Sequence, residues 1–149
     1  MKLTSFTDYS LRVLIYLAAQ PERRATIAEI ARIFDISESH LMKVVHFLAQ
    51  QGWLMTVRGK GGGMSLGMPP VEIGIGQVVR ATEGPAVPAE CFGTQADTCV
   101  ITDACRLKAV LRKAAEAFYA VLDEYTLADL VRNRTVLAQI LQLRPERAA

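Results

Sequence analysis

The segment Thr26–Leu66 decides the fold, and it reads TIAEIARIFDISESHLMKVVHFLAQQGWLMTVRGKGGGMSL. Thr26 and Glu29 stand three residues apart, the spacing of a capping box at the start of a helix. Ser37 is suited to cap a second helix, and Gly52 is suited to end it in a left-handed conformation. Two short helices joined by a tight connection predict a helix-turn-helix.

A β-hairpin is expected directly after these helices. Residues Trp53–Arg58 are rich in strand-forming side chains, Gly59–Gly63 supply a flexible turn, and Met64–Leu66 alternate with a period of two. A hairpin with a basic, glycine-rich tip that follows a helix-turn-helix is typical of a winged helix. The predicted fold class is therefore mainly α, a winged helix-turn-helix with a β-hairpin wing.

Helices are expected on both sides of this segment. Apolar residues spaced by three and four before Pro21 predict a first helix, and a short helix is expected near 75–82. Thr135 is expected to open a final helix that turns Val136, Ile140 and Leu141 inward. Residues spaced alternately by four and three predict a long C-terminal helix that packs against a partner helix. These heptad positions are Leu107, Leu111, Ala114, Phe118, Val121 and Tyr125.

The chain divides into three expected parts. Residues 1–83 form the winged-helix DNA-binding domain, residues 84–105 form a cysteine-rich cluster-binding loop, and residues 106–149 hold the dimerisation helix and the C-terminal helices. The loop contains proline, glycine and small polar residues, and loops of this length are uncommon unless they have a function.

Composition restricts the classes of protein that fit. The chain has 149 residues, of which 51% are hydrophobic and 21% charged, so it is not of the disordered class. Its apolar stretches are too short for a membrane span, and no signal peptide opens it, so we expect a cytoplasmic protein. No nucleophile–base pair or paired acid motif stands out, and we do not expect an enzyme.

The net charge of +2 is small, but it is unevenly distributed. Between Ser37 and Leu66 three basic residues face one acidic residue, which makes this region positive. Side chains at the start of the second helix of the helix-turn-helix could bind phosphates and base edges, and a solvated polar face is the alternative. The candidates there are Ser37, Ser39, His40 and Lys43.

Two further basic residues, Arg58 and Lys60, lie at the wing tip, where minor-groove or phosphate contacts are expected. A nucleotide-binding loop is a weaker interpretation of the glycine run 59–63. The run lacks the Lys-Ser/Thr ending of such a loop and is not followed by a helix.

All cysteines of the chain fall within one short stretch. Cys91, Cys99 and Cys105 are separated by seven and five residues, and no CxxC pair is present. Three thiolates could hold an iron–sulfur cluster or zinc, and one further ligand would complete a four-coordinate site. Buried or incidental cysteines are the structural alternative, and a stable disulfide is not expected in the cytoplasm.

Four stretches together resemble the winged-helix iron–sulfur regulators, and in particular their NsrR-type nitric-oxide-sensing repressors. These stretches are Met1–Arg12, Val57–Gly63, the region of the three cysteines, and Tyr125–Val131. The resemblance implies a homodimer that binds a palindromic operator in double-stranded DNA and releases it when nitric oxide reacts with the cluster.

The resemblance also implies the ligands. Cys91, Cys99 and Cys105 would be joined by Asp8 from the partner subunit, on a cluster of the [4Fe–4S] type with [2Fe–2S] left open. Arg12, one turn after Asp8 on the same helix face, would couple the cluster to the DNA-binding unit. The structural alternative for Asp8 is a carboxylate that favours the helix N-terminus.

Other functions stay open at this point. An IscR-like regulator of cluster assembly is the nearest alternative, but IscR-type proteins carry a histidine shortly after the third cysteine, and residues Arg106–Ala109 contain none. A ferredoxin-type electron carrier would leave the winged helix unexplained. A thiol or zinc sensor would be distinguished by metal analysis of protein prepared without oxygen.

Overall fold

The computed structural model describes residues 2–84, 89, 92, 99–101 and 104–141. Cys91, one of the expected ligands, lies outside the described residues. The helices and strands follow in the order α1 Ser5–Ala19, α2 Ile27–Phe34, α3 Glu38–Gln50, β1 Leu54–Val57, β2 Gly63–Leu66, a 3-10 turn Pro70–Glu72, α4 Ile75–Glu83, α5 Arg106–Asp123, α6 Leu127–Leu130 and α7 Arg134–Ile140. The mainly helical winged-helix fold is confirmed.

Helix α1 lies at the centre of the molecule. It contacts α3, α4, α6, α7 and strand β2. Its apolar face is almost fully removed from solvent, and the side chains of Val13, Leu14 and Tyr16 have no exposed surface. The apolar residues that the sequence spaces by three and four therefore form one face of α1, and this face joins the N-terminal and C-terminal elements in one core.

The helix-turn-helix forms as the sequence predicts. The Thr26 hydroxyl accepts a hydrogen bond from the Glu29 amide at 3.2 Å, and the Glu29 carboxylate accepts the Thr26 amide at 3.4 Å. Asp35 ends α2 in the left-handed region, with φ of 53°. Helix α3 buries one apolar face, which consists of Leu41, Val44, Val45 and Leu48.

The wing is an antiparallel hairpin in which Leu54 pairs with Leu66 and Val57 with Gly63. A third segment is attached to it, because Ala25 exchanges two backbone hydrogen bonds with Met64, at 2.9 and 2.7 Å. At Gly63 (φ 140°) a Cβ atom would lie 2.8 Å from the Ala25 carbonyl oxygen, so the close approach requires glycine. The wing is thus fixed to the residues that lead into α2.

The C-terminal elements close around α1. Thr126 forms a capping box with Asp129 at the start of α6, and Leu127 is fully buried in the core. In α7, the Arg134 guanidinium donates a hydrogen bond to the Ala19 carbonyl at 3.0 Å, at the C-terminal end of α1.

The expected orientation of the last helix is wrong in two respects. The helix follows Asn133 rather than Thr135, and Val136 and Ile140 are exposed. Leu141 packs on the core as expected, but Leu137 and Ala138 are half-buried there in place of Val136 and Ile140. Both sets fit a helical period, and the contact of Arg134 with α1 fixes the rotation that is adopted. None of the helices in the described part of the chain is long and apolar enough to cross a membrane.

We predict that Thr26→Ala lowers the free energy of unfolding by about 1 kcal/mol, because one cap of α2 is lost. Urea unfolding followed by circular dichroism measures this change. Thr26→Ser keeps a hydroxyl at the same position and should stay close to the wild type. Equal stability of the alanine and serine variants would show that the capping box contributes nothing.

Candidate nucleic-acid interface and cluster ligands

The start of α3 presents a row of polar side chains to solvent. Ser37, Ser39, His40 and Lys43 are all exposed. The Ser37 hydroxyl accepts the His40 amide at 3.4 Å and lies 3.3 Å from the Ser39 hydroxyl, so Ser37 already serves as the helix cap. The other three side chains lie on the solvent-exposed face of the second helix of the helix-turn-helix.

The wing tip carries the second group of expected contacts. Arg58 and Lys60 are exposed on the turn that the Gly62 amide closes by donating to the Gly59 carbonyl at 2.9 Å. In the part of the chain that the structure describes, no ion pair neutralises either side chain. Together with Lys43 on α3, they account for the positive charge expected of this region.

Asp8 and Arg12 lie where α1 meets the helix-turn-helix. The Arg12 guanidinium holds the Asp8 carboxylate in a fork, with Nη2–Oδ2 at 2.8 Å and Nε–Oδ1 at 3.1 Å. Arg12 also lies over the Phe34 ring at the end of α2, with its Cζ atom 5.8 Å from the ring centroid. On the adjacent turn, the rings of Tyr9 and His40 lie 6.4 Å apart between centroids. This part of α1 therefore contacts both helices of the helix-turn-helix, α2 and α3.

The structure describes two of the three cysteines. Cys105 is half-buried and occupies the N-cap position of α5, where its side chain makes no capping hydrogen bond. Cys99 is exposed. Among the described residues, no three histidine, cysteine or acidic side chains are close enough to hold a metal ion. One chain therefore does not bring Asp8 together with these two cysteines.

The donor chemistry nevertheless fits an iron–sulfur cluster. Cysteine thiolates are the usual ligands of iron–sulfur clusters. Cys105 presents its thiol at the start of α5. The Asp8 side chain retains 45% of its exposure, so its carboxylate is accessible from outside its own chain.

A second polar cluster, which no motif in the sequence indicates, ties α1 to the end of α4. The Thr4 amide and hydroxyl donate to Glu83 Oε1 at 2.7 and 3.0 Å, and the Thr7 hydroxyl donates to the same oxygen. Thr7 is fully buried. The sequence shows the short spacing of the two threonines. It does not show their shared partner, because Glu83 lies 79 residues from Thr4.

This cluster sets the ionisation of Glu83. Partial burial raises the pKa of its carboxyl group, but hydrogen bonds from Thr7 and Thr4 lower it by more, so the pKa lies below its ordinary value. The ionised carboxylate therefore holds the start of α1, one turn before Asp8, against the helix that ends where the cysteine-containing segment begins.

A winged helix with polar side chains at the start of α3, a basic wing tip and three cysteines between α4 and α5 in the sequence defines a class of DNA-binding transcriptional regulators. The sequence profile of the Rrf2 family, described as an iron-dependent transcriptional regulator, matches residues 3–133. The chain belongs to this family and is a transcriptional regulator.

Individual relatives agree with this assignment. The chain is 50% identical to the HTH-type transcriptional regulator NsrR of Bacillus subtilis, over 97% of this chain and 99% of that protein. It is 48% identical to the regulator of the same name from Geobacillus kaustophilus, with the same coverage. Among solved structures, it is similar to T. potens IscR, with a TM-score of 0.69, 26% identity and coverage of 89% and 88% of the two chains.

The oxidized form of Staphylococcus aureus CymR is equally similar in fold, with a TM-score of 0.69 and 27% identity. The match covers 89% of this chain and 97% of the CymR chain. The resemblance to NsrR-type and IscR-type regulators that the sequence predicts is confirmed.

We predict that Glu83→Gln destabilises the protein near neutral pH. Because the folded pKa of Glu83 is lowered, its carboxylate contributes stability above the unfolded pKa of about 4.3, and that contribution is lost as the pH falls through the folded pKa. The difference between variant and wild type should therefore shrink as the medium is acidified. Urea unfolding at a series of pH values measures it.

Glu72→Gln is the matched control, since Glu72 is exposed. Its stability should follow that of the wild type at every pH. A Glu83→Gln variant that also does so would refute a role for the carboxylate in holding α1.

Proposed function

We propose that this regulator is a homodimeric repressor whose iron–sulfur cluster senses nitric oxide, and which loses affinity for its operator when nitric oxide reacts with the cluster. The observation that supports this most directly is the position of Asp8. It lies on the turns of α1 where Arg12 touches α2 and Tyr9 touches α3. A ligand at this position can affect the DNA-reading helices.

In this proposal, Cys91, Cys99 and Cys105 of one subunit and Asp8 of the partner subunit hold a [4Fe–4S] cluster, in preference to [2Fe–2S]. When bound, the cluster would supply iron atoms that react with nitric oxide. The carboxylate is the hardest ligand of the set and binds soft iron less well than thiolate, so it is the ligand most easily released.

Asp8 then alternates between two partners. In the isolated chain its carboxylate is held by Arg12 in a fork. Ligation of the cluster by this carboxylate would compete with its fork to Arg12. Because Arg12 lies over Phe34, this competition would alter how Arg12 holds α1 against α2.

The dimer would place its two reading helices in successive major grooves of a palindromic operator. Ser39, His40 and Lys43 would reach base edges and phosphates, with Ser37 capping the helix and Arg58 and Lys60 contacting DNA through the wing. For nitric oxide to change the protein from mostly bound to mostly free, the two states must differ by about 5 kcal/mol in their affinity for DNA. The site of action would be the cytoplasm.

We predict that Asp8→Ala weakens the response of DNA binding to nitric oxide, because the ligand that couples the cluster to α1 is removed. Anaerobic protein is assayed for iron and sulfide. DNA selected from a random-sequence pool by the cluster-bound wild type is then titrated with and without nitric oxide. Glu22→Ala, which removes an exposed acid from the segment after α1, is the control and should respond like the wild type.

Two results would contradict the proposal. The first is an absence of iron and sulfide from wild-type protein prepared without oxygen. The second is release of DNA by Asp8→Ala at the same nitric oxide concentration as the wild type. Cys91→Ser should lose iron, which ties the metal content to the proposed ligands.

The dimer is supported by the surface of α5, which buries no residue fully within the chain. Of the heptad positions, Phe118 packs against the core, whereas Leu107 and Val121 remain 60% and 55% exposed. An exposed apolar row along an 18-residue helix is typical of a protein interface.

We predict that Val121→Glu shifts the protein from dimer to monomer, because it places a charge in the apolar row. Sedimentation velocity measures the change. Val71→Glu is the matched control, since Val71 is 64% exposed and lies on the 3-10 turn rather than on α5. A Val121→Glu protein that sediments like the wild type would exclude this face as the interface.

An IscR-like regulator that reports cluster supply is the second candidate, favoured by the similarity in fold to T. potens IscR. The absence of histidine from residues 106–109 weighs against it. Comparison of DNA binding by cluster-bound and cluster-free protein separates the two, because the proposed function requires the cluster for operator binding.

A further inference from the structure

Arg24 lies in the segment between α1 and α2, but its side chain reaches the tip of the wing. Its Nη1 atom donates a hydrogen bond to the Gly61 carbonyl at 3.3 Å, at the tip of the hairpin. The neighbouring residues Lys60 and Arg58 are the two cations already assigned to this tip. Arg24 is exposed, and its sequence position gives no indication of this location.

The backbone beside Arg24 keeps it there. Ala25 is joined to Met64 by a pair of backbone hydrogen bonds. A Cβ atom added at Gly63 would lie 3.1 Å from the Arg24 Cβ, so the two chains are in close contact at this point. A two-stranded hairpin alone is only marginally stable, and this third segment gives the wing a fixed base.

The charge of Arg24 is available, in contrast to that of its neighbour. Arg23 forms an ion pair with Glu29 and donates from Nε to the Gln20 side-chain oxygen at 3.0 Å. Within the described ranges, no ion pair includes Arg24. A guanidinium has five N–H donors, and the single bond to Gly61 leaves the others free to bind an anion.

We propose that Arg24 is a DNA-contacting residue that binds a backbone phosphate beside the wing tip, as the third member of a cationic group with Arg58 and Lys60. Guanidinium geometry matches a phosphate in two-point contact. The inference rests on the proposed DNA-binding role of the wing and adds to it a residue from outside both the hairpin and the reading helix.

The experiment measures the affinity of the full-length protein for a short random-sequence DNA duplex by fluorescence anisotropy at several salt concentrations. Each phosphate contact contributes about −0.9 to the slope of log K against log salt, and about eightfold in affinity at 0.1 M salt relative to 1 M. Arg24→Ala should reduce the steepness of the slope by this amount. Arg24→Lys should restore most of the slope, because it keeps the charge.

Arg23→Ala is the matched control. It removes the same charge from the neighbouring residue, whose side chain is already paired with Glu29. It should leave the slope unchanged. Arg58→Ala reports on the wing itself and should reduce the slope. Circular dichroism verifies that each variant is folded.

Each outcome decides between the alternatives. An unchanged slope in Arg24→Ala with a reduced slope in Arg58→Ala would overturn the assignment of Arg24 and leave the wing's role intact. Equal reductions in the Arg23 and Arg24 variants would indicate net charge rather than a contact, and would also overturn it. A wild type with no salt-dependent DNA binding would contradict the proposed function itself.

Discussion

Burial of helix α1 is the constraint on which the rest of the structure depends. Its apolar face includes Leu14 and Tyr16, which have no exposed surface, and full burial of one large apolar side chain contributes about 1.5–3 kcal/mol. Elements from both ends of the sequence are needed to cover it. Although α1 is enclosed in this way, the side chains of Asp8 and Arg12 in its first turns remain half-exposed.

Two kinds of contact hold these first turns, and they differ in how easily they change. Hydrogen bonds from Thr4 and Thr7 to Glu83 join α1 to α4, and the one from Thr7 is partly buried. The Asp8–Arg12 ion pair is half-exposed, and ion pairs of this kind contribute little to stability. The helix is therefore fixed at its start and adjustable one turn later, an arrangement suited to transmitting a small change in ligation without unfolding the domain.

Features set by neighbouring residues could be predicted from the sequence, and features set by distant ones could not. The capping box of Thr26 and the cap at Ser37 use hydrogen bonds over three residues, so a pattern of letters is enough to locate them. The partner of Thr4 is Glu83, and the rotation of α7 is set by the contact of Arg134 with Ala19. Neither could be found by periodicity, because a helix repeats its pattern irrespective of what covers it. The proposed metal ligands followed from resemblance alone, and the structure describes only two of the three cysteines among them.

The packing of Leu127 and Arg134 against α1 also has a consequence for the order in which the protein folds as it is made. N-terminal segments leave the ribosome first and begin to fold before the chain is complete. Here the first helix is covered by α6 and α7, more than 100 residues later in the chain. The helix-turn-helix and wing can form early. The face of α1 that α6 and α7 cover stays open to water or to a chaperone until these C-terminal helices emerge. Synthesis of the last elements therefore limits the appearance of a fully closed regulator, and a chain arrested before Leu127 would present an apolar helix to the cell.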